Sequence, residues 1–455
     1  MDQHVSGASS LTSPIPPPAI TLEEAPLNRF HKRLAVYSAG GPFLDGYILS
    51  IIGVALIQIT PALHLSTSGQ GLVGAATLVG MFVGGFVGGV LTDRFGRQAL
   101  YTWDLVALIL CSIAQFRVES ATALVLLRML IGVAVGADYP IATSLLVEFT
   151  PRRYRGPLLV VLVAMWYVGA AVAYLVGEWM LQWGPDAWRW ILASAALPAA
   201  VIVLLRHGTP ESPRWLIQKG RRAEAAAVLK QVYGDHAPAL PPPEAAADSS
   251  PHLFALFRSG YGGRLLYVST FWTCSIVPVF GIYAFGPTIL QALGLTGPWG
   301  NAGSALITSL FAVGTVVSLA VINRCGRRFL VLHSFFWSGL ALLPLGLFPK
   351  SSPIVVMICF SAFAILIGGT QVLQWVYPNE LFPTSIRGSA VGAAASLSRI
   401  GAAVGTYLVP YSIQTFGIGP TMLMGAAVTL LGFGVSLWAA PETTHLGLDQ
   451  SGSLV

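Results

Sequence analysis

Charge is scarce in this 455-residue chain: Asp, Glu, Lys and Arg together make up 10% of it. Soluble domains carry about 25% charged residues, so the scarcity excludes an ordinary soluble enzyme or binding module. Cysteine is scarce as well. Cys111, Cys274, Cys325 and Cys359 have no metal-ligand spacing, and three of them fall in apolar runs. Neither a disulfide framework nor a zinc site is expected from them, and they read as small apolar fillers. Catalytic signatures are missing: there is no His-Glu-x-x-His, no phosphate loop, and no Ser-centred Gly motif with a partner histidine at depth. His333 stands alone. The chain is therefore expected not to be an enzyme and to carry no metal and no cofactor. No segment alternates in polarity as a membrane β-barrel strand would. Residues 1–33 are polar and Pro-rich and lack the apolar core of a signal peptide; they read as a disordered cytoplasmic N-terminus.

What the chain has is apolar length. It is 55% hydrophobic, with a mean hydropathy of +0.71. A spanning helix needs about 20 apolar residues. Twelve runs qualify: 34–60, 72–92, 99–117, 121–147, 156–182, 187–205, 264–291, 302–322, 329–348, 353–380, 389–413 and 419–439. The fold class expected is an all-α membrane protein of twelve transmembrane helices. The net charge of +6 could suggest nucleic acid, but the distribution of the 25 Lys and Arg speaks for a bilayer. Only Arg117, Arg189 and Lys350 fall at run ends on one side, Arg128 and Arg399 fall deep inside runs, and the rest, Arg206 included, are assigned to the other side. Basic residues mark the cytoplasmic side, which places both termini in the cytoplasm.

The longest polar stretch, 206–263, divides the runs six and six. It combines a basic surface-helix pattern, PRWLIQKGRRAEAAAVLKQVY, with a Pro- and Ala-rich linker. Short matches relate the halves. Asp93-Arg94-Phe95-Gly96-Arg97 pairs with Asn323-Arg324-Cys325-Gly326-Arg327, Glu148 and Arg155-Gly156 with Glu380 and Arg387-Gly388, and Pro210-Glu211-Ser212 with Pro441-Glu442-Thr443. The near-constant offset indicates two parallel six-helix repeats, 34–205 and 264–439, with a solute site between them and a cytoplasmic tail from 440 to 455.

These residues resemble the major facilitator superfamily over essentially the whole chain. GVLTDRFGR (89–97) is similar to that superfamily's loop between helices two and three. PESPRWL (210–216), Arg128 with Gly132 and Gly136, WVYPNELFP from Trp375 through Glu380, and Pro441-Glu442-Thr443 resemble its sugar-porter branch. Asp138-Tyr139-Pro140 and Asp45-Gly46-Tyr47 resemble the phosphate:proton and organic-acid:proton branches. The stretch LNRFHKRLAVYSAGGPFLDGYILSIIG is similar to bacterial inner-membrane metabolite transporters. Three departures point away from glucose- or xylose-like recognition. Ile48 stands where sugar porters have an acid, the seventh run has no Gln-Gln pair, and Gly368-Gly369-Thr370-Gln371 precedes Trp375.

Charges inside apolar runs cost about 3 kcal/mol or more each unless they face a polar interior. Asp45 and Asp138 lie about 15–17 Å from the same helix ends at 1.5 Å per residue, so they are level. Two such carboxylates cannot both ionise cheaply, which suits proton carriers. Arg128 lies too far along its own helix from Asp138 to pair with it; it is expected to reach Asp45 or to snorkel, with a coupling role implied by the resemblance. Arg399 has no evident acid partner in the second half and reads as an anion anchor, unless it pairs with Asp45 or Asp138 across the repeats. Tyr47, Tyr139, Trp166, Trp272, Tyr283, Gln371, Gln374 and Trp375 could complete a solute site. Asp93, Arg94, Arg97, Glu148, Arg155, Glu211, Arg324, Arg327, Glu380, Arg387 and Glu442 cluster at cytoplasmic helix ends, where opposite charges could latch the halves. Glu178 reads as a partly hydrated surface acid rather than an outer gate.

The expected function is a monomeric, proton-coupled symporter importing a small polar organic solute, an organic anion, by alternating access. A neutral sugar or polyol symporter, a proton-antiporting exporter and a non-transporting membrane sensor are the alternatives.

Overall fold

The computed structural model describes residues 27–150, 152–234, 237, 240, 260–295, 298–382 and 384–443. The expected disordered segment up to residue 26, most of the Pro-rich linker and the tail from 444 lie outside the described residues, as do the side chains of Asp93, Tyr139, Glu148, Arg155 and Arg387.

The first half contains α1 (Arg29–Ala62), α2 (Thr67–Phe95), α3 (Arg97–Ala114), α4 (Ala121–Phe149), α5 (Arg152–Leu181), α6 (Ala187–Ala193) and α7 (Ala196–Arg206). Between the halves lie α8 (Pro213–Gln218) and α9 (Arg222–Tyr233). The second half contains α10 (Gly262–Ala292), α11 (Pro298–Cys325), α12 (Arg327–Leu347), α13 (Pro353–Leu366), α14 (Gly368–Leu381), α15 (Thr384–Phe416) and α16 (Ile418–Ala439). Eleven membrane-length apolar spans occur among the described residues, with α6–α7 and α13–α14 each forming one. The 33-residue α15, which carries Arg399, completes the twelve.

The expected sixth and tenth spans are thus broken helices. The sixth is interrupted at Ser194–Ala195 and the tenth at Ile367. The expected single surface helix is also two pieces, α8 and α9, split at Gly220, whose φ is +76°.

Helix starts follow local chemistry. Ser66, Ser120 and Ser212 each accept a backbone N–H three residues on, at 3.2–3.3 Å. Asn28 and His31 form a reciprocal capping box at the start of α1. The same two residues tie α9 down. Asn28 Nδ2 donates to the Val232 carbonyl at 2.6 Å, and His31 Nε2 meets the Phe149 carbonyl at 2.9 Å and the Tyr233 hydroxyl at 3.1 Å. Burial in this corner pushes the Tyr233 phenol up to about 12.

Chain order makes each span cross opposite to the last, so all helix ends next to the chain termini share one face, here called proximal; the other is distal. The first helix of each half is central. Of the apolar windows of α1 and α10, 78% and 72% are buried, against 28–33% for α3, α6–α7 and α16. Those outer helices expose large apolar side chains such as Trp103 and Trp438, as lipid-facing helices do. Within the first half α2 packs on α4, α1 on α5 and α3 on α7; in the second, α10 packs on α15 and α12 on α16. The halves meet through α2 with α15, α5 with α11, and α1 with α10. The first two of these pairings are the same pairing under exchange of the repeats.

Candidate functional site

The interior of the first half is built around ionisable groups. Asp45 on α1, Asp104 on α3 and Asp138 on α4 line one narrow crevice, walled by Gly41, Leu44, Leu105, Leu108, Ala134 and Val135. Asp138 is held by Arg206, whose Nη1 donates to Oδ1 at 2.7 Å and Nη2 to Oδ2 at 3.2 Å. Arg206 Nη1 also donates to the Tyr101 carbonyl at 2.9 Å, and the guanidinium lies 3.5 Å from the centre of the Tyr101 ring. The Tyr101 hydroxyl in turn donates to Ser38 at 3.2 Å.

Arg206 counts among the basic residues of the proximal side, and its side chain is fully buried rather than solvated. The cause is directional. Arg206 is the last residue of α7, and helical side chains lean toward the helix N-terminus, which here points into the membrane interior. Asp104 was overlooked altogether. The signal was available: it is the one acid in the third apolar run.

Asp45 is 3% exposed. It lies within electrostatic reach of Asp138 and Arg206 in its own half and of Arg399 across the interface. Arg128 neither snorkels nor pairs with Asp45. It is buried, its Nε donating to the Val73 carbonyl at 3.0 Å and Nη2 to the Ile48 carbonyl at 3.5 Å. Where the sugar-porter pattern has an acid side chain, Ile48 offers its backbone oxygen.

The second half presents a different chemistry. Arg399 is half-buried on α15, with its guanidinium 5.4 Å from the Phe280 ring centre. Trp166 of α5 reaches across the interface to the aromatic rings of α10, edge-on to Phe280 at 6.2 Å and tilted against Tyr283 at 4.8 Å. Phe280 was not singled out from the sequence, because an apolar aromatic at helical spacing reads as core. About two turns from Phe280 on α10, Trp272 meets Trp375 edge-on at 5.4 Å. Gln374 donates to Gln371 at 3.0 Å, Gln371 donates to Ser275 at 3.0 Å, and Ser275 donates to Thr370 at 2.8 Å. Trp272 Nε1, the Tyr283 hydroxyl and Gln374 Oε1 are buried with no hydrogen-bond partner. Tyr47 turns away from this region. Its hydroxyl pairs with Ser194 at 2.6 Å, at the break between α6 and α7.

The distal side joins the halves. Thr67 donates to Gln414, and Asn301 donates to Glu178. Glu178 is therefore a cross-half contact rather than a hydrated surface acid. Within α10, Pro287 has no N–H to offer the Tyr283 carbonyl one turn back. Tyr174, on α5 of the other half, donates its hydroxyl to that carbonyl at 2.7 Å. At mid-depth, Thr315 donates to Tyr167 at 3.2 Å.

At the proximal face, in contrast, the bonds between described residues lie within the halves. Glu211 accepts the backbone N–H groups of Arg97 and Gln98, both at 3.1 Å, at the start of α3. Glu442 accepts those of Arg327 and Arg328, both at 3.0 Å, at the start of α12. Gly96 and Gly326 make the turns, with φ of +97° and +85°. A Cβ on either would meet the capping carboxylate at 2.4 and 2.6 Å. Arg327 pairs with Glu380 at 2.9 Å, again within one half. Arg94 and Arg324 are exposed. Among the described residues, no hydrogen bond or ion pair joins the halves at the proximal face.

The pattern matches known proteins. The family model described as "Sugar (and other) transporter" matches residues 33–454. The Escherichia coli putative metabolite transport protein YaaU is 42% identical over 96% of this chain and 98% of its own length. The inner membrane metabolite transport protein YgcS of the same organism is 39% identical over 96% and 97%. The xylose transporter XylE from E. coli, in a partially occluded inward open conformation, superposes with a TM-score of 0.78 over 91% of this chain and 99% of that one, at 18% identity. The chain is a multi-pass membrane transporter, not an enzyme, and it belongs to the sugar (and other) transporter family of the major facilitator superfamily.

Proposed function

We propose that this transporter is a proton-coupled symporter that imports a small organic anion by alternating access. The observation that carries the reading is the position of Asp45. It is buried on the central helix of the first half, beside Asp138, and within reach of Arg399 of the second half. Of the three acids in the crevice, it is the one within electrostatic reach of the second half's arginine. Ionised, it draws Arg399 toward itself. Protonated, it no longer competes for Arg399 with a solute carboxylate, which a guanidinium can hold through two parallel bonds. Proton and anion loading would thereby favour the same conformation.

The solute would lie between α10, α14 and α15, where the Trp272 indole, the Tyr283 hydroxyl and the Gln374 amide oxygen are left to bond it. The two rocking bodies would be residues 34–205 and 264–439. The proximal face would be cytoplasmic, in a monomer of the inner membrane, with its charged clusters engaging across the halves when that side closes. One proton carried with a monoanion moves no net charge, so the pH gradient rather than the membrane potential drives uptake, at about 1.4 kcal/mol or tenfold accumulation per pH unit.

A neutral sugar is the second reading. The Gln371–Gln374 pair favours it, as does the likeness to XylE, described as a proton:xylose symporter.

Uptake into proteoliposomes under an inward proton gradient tests both. The anion reading expects carboxylate uptake that collapses with a protonophore and in Asp45→Asn. It also expects Arg399→Gln to raise KM by about 10- to 100-fold, the loss of one charged hydrogen-bond pair. Protonophore-insensitive uptake would refute coupling. Sugar uptake with an unaltered Arg399→Gln KM would replace the anion with a sugar.

A further inference from the structure

Three carboxylates line the crevice of the first half, and one guanidinium is bonded there. Arg206 gives both arms of its fork to Asp138 and a further bond to the Tyr101 carbonyl. Asp104 receives none of these donors, although Asp138 lies within its hydrogen-bonding reach. One Asp104 oxygen takes the Leu105 N–H at 2.6 Å. The other, Oδ2, is buried and has no partner. The residue is 8% exposed.

Ionised, Asp104 would be a second anion against Asp138, between apolar walls, with the local cation already committed. Adjacent buried carboxylates do not both stay charged, and a buried carboxylate with one oxygen left without a donor is costly. One proton removes both costs. Oδ2 becomes an O–H donor, and Asp138 can accept it: a carboxylate has about four acceptor positions, and Arg206 occupies two.

We propose that Asp104 and Asp138 share a resident proton, carried on Asp104 Oδ2 and donated to the Asp138 carboxylate, so that Asp45 is the acid left to exchange protons. Only the last clause rests on the proton-coupled reading above. The charged and titratable groups facing Asp104 are Asp138 on α4, Arg206 on α7, Asp45 on α1 across the crevice, and Tyr101 on α3 itself. No ionisable residue lies between Thr67 and Thr92 of α2. On α6, Arg189 is engaged at the distal end by the Phe116 and Val118 carbonyls. With Arg206 neutralising Asp138 and Asp104 kept neutral, the crevice passes from one negative charge to none when Asp45 is loaded. Asp104 is thus a positioning residue: it keeps Asp138 clamped and makes Asp45 the sole switch.

Infrared spectroscopy of the purified full-length transporter tests this, because a buried carboxylic acid shows a C=O band that a carboxylate lacks. At neutral pH the wild type is expected to show such a band. Asp104→Asn should lose it and Asp45→Asn should keep it. Asp104→Glu should retain the band at a shifted frequency, which guards against a folding failure of the amide variant. Raising pH should remove the band in the wild type, and Asp104→Asn should show no such spectral transition. A neutral-pH band that survives Asp104→Asn, or no band in the wild type, overturns the proposal. Protonophore-insensitive uptake alongside the expected bands would refute the coupling reading and leave the shared proton standing.

Discussion

The two halves share a scaffold and differ in what they bury. Both begin with a central helix, and both start their third span with a positive-φ glycine capped by a distant glutamate: Gly96 with Glu211, Gly326 with Glu442. Inside, they part. The first half encloses Asp45, Asp104, Asp138, Arg128 and Arg206. The second encloses amides, hydroxyls and aromatic rings, with Arg399 at its inner edge. A duplicated bundle must cap the same helix ends twice, so the capping chemistry stays alike in both copies. Its interior has no such obligation. On the proposed reading, proton handling and solute handling fall to separate bodies, and Asp45, within electrostatic reach of Arg399, would couple the two.

The sharpest break of this comparison is Arg206→Met. Removing one partner of a buried pair leaves the other charge unpaired and costs about 3–5 kcal/mol. Thermal denaturation in detergent should show a large loss, and Asp138→Leu in the same chain should recover most of it. The second half has no counterpart of this pair among its described residues, so Glu380→Gln, at the partly exposed Arg327 pair, should cost about 1 kcal/mol or less. Equal losses at the two sites would mean that the first half's charges are no more buried in their effect than the surface pair.

Next in size is the contact in which one half uses a defect in the other. Pro287 leaves the Tyr283 carbonyl without its helical donor, and Tyr174 supplies one across the interface. Tyr174→Phe strands that carbonyl only when the distal face is closed. It should therefore shift the equilibrium toward distal opening by about 1–2 kcal/mol, roughly tenfold in population. Labelling of a distal single-cysteine reporter by a membrane-impermeant maleimide checks it. Unaltered labelling would mean that the hydroxyl contributes nothing to closure.

The same residues show what a sequence can reveal here. Asp45 and Asp138 stand out because a charge in an apolar run has few cheap explanations, and the crevice they share follows from their equal depth. The caps were legible as repeated motifs, although their work as helix caps was not. Arg206 was hidden by lying at a helix end, where only the direction of the side chain separates surface from interior. Asp104 required no structure, only attention to the third run. Its missing donor did require one, since nothing in the order of residues says that Arg206 is already committed. The Tyr174 contact was invisible for a different reason. A proline announces a lost hydrogen bond but does not name the residue that replaces it.

The smallest expected effect tests the shared part of the comparison. Glu211→Gln and Glu442→Gln each replace a carboxylate that holds two N–H groups at a helix start with an amide that has one suitable oxygen. Each should lower stability by about 1 kcal/mol, the worth of a helix cap, and each should do so by the same amount within a few tenths. The caps lie in different halves without shared partners, so the double variant should lose the sum. If one substitution abolishes transport at full stability while the other is silent, the pair is not a common scaffold element. One half would then have put its cap to use in closing the proximal face, where the free carboxylate charge would be what engages the opposite half.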